Sequence, residues 1–190
     1  MTRLTSPTYR RWTRSMAVAA AAAALVACGS DGNDQVAAPT EPDEVAGDAP
    51  IGAIDYAFTG VPARLRAGST LTLDNLSPVE AHELVAIRLP DDEARSVEEL
   101  VRLPPDELGA FFPLVETVLI AAPSEASIAV EGDGSLREPG RYMLICVIPT
   151  GADPDDYLAA AAAADGEPPQ VEGGPPHIVN GMFAELTVVE

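Results

Sequence analysis

The sequence predicts an all-β domain, a β-sandwich carrying short helical insertions. From about residue 51 to the C-terminus, about seven short apolar runs recur, several alternating apolar and polar residues with a period of two. Turn signals separate them, Gly132-Asp133-Gly134 and Pro139-Gly140 among them. Residues 51–190 are also enough for one domain with a core of its own, and regularly spaced short strands in one domain pack as two sheets.

Residues 1–28 stand apart from that domain. Arg3, Arg10, Arg11 and Arg14 form a basic region with no acidic residue. Met16 to Val26 is an apolar run too short to span a bilayer and suited to the middle of a signal peptide. It runs into Leu25-Val26-Ala27-Cys28-Gly29-Ser30, which resembles the lipobox of bacterial lipoproteins. That resemblance implies that Cys28 becomes the lipidated first residue, anchoring an extracytoplasmic protein to the bacterial cell membrane. The Arg10-Arg11 pair leaves twin-arginine export open beside the general route, although Trp12-Thr13-Arg14 suits it poorly. Residues 29–50 are acidic and rich in Pro, Gly and Ala, with too little apolar content to offset the entropy of ordering them. They read as a flexible linker with a reach of roughly 25 Å.

Within 51–190 the expected strands are Ile54 to Phe58, the run through Ala63-Arg64-Leu65-Arg66 and Ser69 to Asn75, His82 to Leu89, Thr117 to Ala121, Ala126 to Val130, Tyr142 to Ile148, and Phe183 to Val189. Residues 92–112 break the pattern. Ser96 with Glu99 has capping-box spacing, and Pro105-Asp106-Glu107 suits a second helix start. Leu100, Leu103, Leu108 and Phe111 would cover one edge of the sandwich. A third helix is capped by Asp153-Pro154-Asp155-Asp156. Its alanine run reads as a solvent-facing segment of high helix propensity with no site in it.

Charge narrows the function. Without residues 1–27 the chain keeps 7 Arg against 30 acidic residues, a formal charge of −23, and there is no lysine anywhere. Such a surface repels nucleic acid and anionic headgroups, so membrane contact is expected through the lipid alone. It favours a basic partner. With Cys28 acylated, Cys146 has no partner for an intramolecular disulfide; burial, an intermolecular bridge or a metal would account for it.

His82 and His177 each lie beside an expected strand, Cys146 falls within the run from Tyr142 to Ile148, and Met182 follows His177 by five positions. One thiolate, two imidazoles and one thioether suit copper in both oxidation states. Ala67 to Asn75, Ala81-His82, Gly140 to Cys146 and Pro176-His177-Ile178-Val179-Asn180-Gly181-Met182 together resemble the cupredoxins, the blue-copper family that includes plastocyanins. The resemblance runs from about Phe58 to the C-terminus. It implies a Greek-key sandwich and a copper site of His82, Cys146, His177 and Met182, with His177 nearest solvent. Asn75 would fix the ligand loops by hydrogen bonds.

The sequence departs from that family in two places. Thirty residues separate Cys146 from His177, where plastocyanin-like proteins have only a few. The insertion keeps the site intact if both of its stems return to one rim, as Pro149 and Pro175-Pro176 suggest. Glu83, directly after His82, is unusual beside an electron-transfer copper and would face the opposite way. The leading expectation is a monomeric, lipid-anchored one-electron carrier with no enzymatic activity. A copper storage or transfer protein and a metal-free interaction module are the alternatives.

Overall fold

A computed structural model describes residues 45–164 and 168–190, all within one compact unit that spans 41–190. Cys28, the signal segment and most of the linker lie outside the described residues. Among the described residues no helix is long and apolar enough to cross a membrane.

The fold is all-β, as expected. Ten strands, β1 (Ala49–Ile54), β2 (Ala57–Thr59), β3 (Arg64–Arg66), β4 (Ser69–Asn75), β5 (His82–Arg88), β6 (Val115–Ala121), β7 (Ile128–Glu131), β8 (Ser135–Leu136), β9 (Gly140–Ile145) and β10 (Phe183–Val189), form two sheets. One sheet runs β2-β1-β4-β8 and the other β3-β10-β9-β5-β6-β7. The β1–β4 and β3–β10 pairs are parallel and all the other strand pairs antiparallel.

Burial follows sequence period. In β4, Ser69, Leu71, Leu73 and Asn75 point inward while Thr72 and Asp74 face out, the pattern of a strand with one wet face. In β5 every residue but Arg88 is buried. Its alternate residues serve two cores: Leu84 and Ala86 join the cluster between the sheets, and Val85 and Ile87 join a second cluster on the outer face. That outer face is covered by α1 (Val97–Leu100) and Phe111, with Leu103 and Leu108 packed against it. The Ser96–Glu99 capping box is formed: Ser96 Oγ accepts from the Glu99 amide at 3.3 Å and Ser96 N donates to Glu99 Oε2 at 2.8 Å. A second short helix, α2 (Pro105–Gly109), starts on proline as read.

Three local readings change. The expected strand Ile54 to Phe58 is broken: Asp55 and Tyr56 take positive φ values of 33° and 71° and make the two-residue turn of a β1–β2 hairpin. The run from Ala63 to Asn75 is split at Gly68 (φ 82°), which sends β3 to one sheet and β4 to the other. And β1 takes in Ala49 and Pro50, which read as linker, because Ala49, Ile51 and Ala53 point into the core beside β4.

Candidate metal centre

His82 is the first residue of β5 and stands opposite Ala121 of β6. Asn75, at the end of β4, fixes the approach to it. Its Nδ2 donates to Glu80 O at 2.8 Å and to Ala121 O at 3.1 Å, and its Oδ1 accepts from Ser77 N at 2.9 Å. One buried amide therefore ties both ends of the loop 76–81 to the neighbouring strand.

Cys146 directly follows β9, and its amide donates to Met182 O at 3.2 Å. His177 opens a 3-10 turn, His177–Asn180, that ends at Gly181 with φ 107°. The Met182 amide then returns to His177 O at 3.1 Å. Met182 is fully buried in the same core cluster as Cys146.

His82, Cys146 and His177 come together, each 0% exposed. The two Nδ1 atoms are 3.2 Å apart and Cys146 Sγ is 3.3 Å from His177 Nδ1; all three ligand atoms lie within 4.8 Å of one another. Two atoms bound at ~2.0–2.1 Å to a common ion and ~120° apart would be separated by about 3.5 Å, so this triangle has the size of a single coordination sphere.

The electrostatics describe a buried site that disfavours charge of either sign. Burial pushes the Cys146 thiol well above its ordinary value and the Glu83 charge adds to this, while backbone N–H groups of Glu83 and Ile148 oppose it. The Glu83 amide lies 3.4 Å from the sulfur. Burial and the neighbouring His177 lower His82 to about 4, with Asp55 opposing. His177 is also lowered by burial, against the pull of Glu80. A bound cation reverses the first tendency and reinforces the second, since it favours thiolate and neutral imidazole.

The 30-residue insertion is closed immediately behind the ligands. Ile178 N donates to Cys146 O at 2.8 Å, His177 N to Ile148 O at 2.9 Å, Thr150 N to Pro175 O at 3.1 Å and Gly174 N to Thr150 O at 2.8 Å. Pro149 and Pro176 form the bridge between these stems. Both stems return to one rim.

One expectation is corrected. The alanine helix α3 (Pro154–Ala163) is not a bystander: Tyr157 is buried at 1% exposure and donates its hydroxyl to Glu83 Oε2 at 2.8 Å. Glu83 Oε1 accepts from Val147 N, next to Cys146, at 2.9 Å. Glu83, its carboxyl raised to about 6 by burial, thus joins β5, the residue after Cys146 and the insertion. Tyr157 is the sole aromatic residue in that alanine run, the one signal that it packs. His177, 0% exposed like His82 and Cys146, is covered by its neighbours. The edge of the Tyr56 ring meets it with centroids 4.9 Å apart, and the Glu80 carboxylate lies 3.7 Å from its Nε2.

No family model matches the chain, and no curated protein matches it in sequence. Among solved structures it is similar to dithionite-reduced auracyanin from the photosynthetic bacterium Roseiflexus castenholzii, at 19% identity over 77% of this chain and all of that one, with a TM-score of 0.44. It is similar to auracyanin B at 19% identity, covering 78% of this chain and 93% of that one, with a TM-score of 0.41. Auracyanin A, a blue copper protein from Chloroflexus aurantiacus, follows at 19% identity, 74% and 96% coverage, and a TM-score of 0.37.

Proposed function

We propose that His82, Cys146 and His177 hold one copper ion, with the Met182 thioether as a weak fourth ligand, and that the protein carries single electrons. The observation that carries this reading is the buried triangle of one sulfur and two Nδ1 atoms. One thiolate and two imidazoles form a donor set between the preferences of Cu(I) and Cu(II). Bound there, copper would supply reversible one-electron chemistry. The protein's residues do the rest. The Glu83 amide faces the sulfur, Asn75 fixes the His82 approach, and the closed stems fix Cys146 against His177.

Complete burial of the three side chains favours a carrier over an enzyme, because no substrate reaches them. It also speaks against rapid hand-over of copper, which starts from an exposed ligand. In this reading the lipid at Cys28 anchors a monomer to the outer face of the bacterial cell membrane, and the acidic surface steers it to a basic redox partner. The test is a Cu(II) titration of the metal-free chain and of Cys146→Ser. The chain should take one equivalent and develop an intense thiolate-to-copper band in the visible region that the variant lacks. Tight Cu(I) binding without that band would favour storage or transfer, and no binding by an intact fold would exclude both.

A further inference from the structure

The β1–β2 hairpin turns on Asp55 and Tyr56, both at positive φ. Two-residue turns of this kind favour Gly at the second position, because a side chain there crowds the backbone. Tyr56 occupies that position with φ 71°, an unfavourable choice for a bulky residue. The ring is half-buried, packing against the core between the sheets and against His177. The Tyr56 ring meets the His177 ring at 66° with centroids 4.9 Å apart. His177 is fully buried although Val179, Asn180 and Gly181 of the same turn are exposed. Its Nε2 makes no hydrogen bond, and the Glu80 carboxylate stands 3.7 Å from it.

We propose that Tyr56 is a positioning residue, held in a strained turn so that its ring fixes the His177 imidazole and closes it from solvent. Strain kept at one position points to a side chain used for a contact away from the turn. The assignment rests on the copper reading in that His177 is taken as a ligand. It adds a residue from the opposite sheet that the ligand pattern does not contain. Tyr56 would set how readily external reagents reach the one ligand that sits on an exposed turn.

The experiment uses the full-length, metal-free chain and diethyl pyrocarbonate, with the modified histidine located by mass spectrometry. Three proteins are compared: the unsubstituted chain, Tyr56→Phe, which keeps the ring, and Tyr56→Gly, which removes it and relieves the turn. His177 should be protected in the first two and modified about tenfold faster in Tyr56→Gly, as expected when a local barrier to opening is lost. His82 should stay protected throughout, and the Tm of Tyr56→Gly should be unchanged or higher. A purely structural tyrosine would move Tm and protection together. The proposal is overturned if His177 is as protected in Tyr56→Gly as in the unsubstituted chain. It is equally overturned if Tyr56→Gly loses Tm and exposes both histidines. The readout uses no metal, so a missing visible band in the unsubstituted chain would count against the copper reading alone.

Discussion

The two sides of the metal centre are built from loops of very different length. His82 is reached through residues 76–81, while 30 residues lie between Cys146 and His177. Loop-closure entropy makes the longer connection worse by only about 1.4 kcal/mol, which one or two hydrogen bonds of ~1 kcal/mol offset. What the two sides share is cross-linking next to the ligand. Asn75 makes three hydrogen bonds around the short loop, and four backbone bonds close the long one between Cys146 and Gly174. Glu83 then joins the sides through Val147 and Tyr157. A short loop is therefore one way to hold such ligands; a long loop closed at its neck is another.

The largest effect should come from the short side. Asn75→Ala leaves Glu80 O and Ala121 O without their donor and Ser77 N without its acceptor, and should cost on the order of 3 kcal/mol in urea unfolding. A loss below about 1 kcal/mol would mean that the loop is held elsewhere. On the long side, Tyr157→Phe removes one hydroxyl from a buried carboxyl and should cost about 1–2 kcal/mol. If Tyr157→Phe proves neutral, the insertion is merely attached and does not brace the site.

Acid should separate the groups that join the two sides. His82, lowered to about 4, stays neutral in the folded metal-free chain, while the unfolded chain takes up its proton near 6.5. That difference destabilises the fold as pH falls from about 6.5 to about 4. Glu83, raised to about 6, acts oppositely: the folded chain binds its proton first, so acid favours the fold between about 6 and 4.5. Glu83→Gln removes only the second contribution and should make the metal-free chain lose stability more steeply over that window. Thermal unfolding at several pH values measures this, and parallel profiles would remove Glu83 from the account. The smallest effect is expected on the exposed face of α3, where Ala159→Lys or Ala162→Lys should change stability by less than about 0.5 kcal/mol.

Much of the fold was legible because β4 alternates cleanly and because Gly and Pro mark the turns. The break at Asp55-Tyr56 was not, since the run from Ile54 to Phe58 alternates through a turn whose second residue, Tyr56, disfavours positive φ. His82, Cys146 and His177 were readable as a group from residue type and placement, and they converge in space, whereas Asn75 was reached through the resemblance alone. The contact between Glu83 and Tyr157 was not legible, for a physical reason. Each looks polar or solvent-facing in its own segment, and only the contact between β5 and α3 buries both. The cover over His177 was likewise hidden, because Tyr56 lies 121 positions away in the chain and on the other sheet's hairpin.

X-ray absorption at the copper edge of the loaded full-length chain tests the central claim, that the two unequal sides converge on one ion. One short sulfur contact with two imidazole nitrogens, the short sulfur contact being lost in Cys146→Ser, is the predicted result. A shell of nitrogen and oxygen without sulfur in the unsubstituted chain would contradict it, because the long side would then contribute no thiolate.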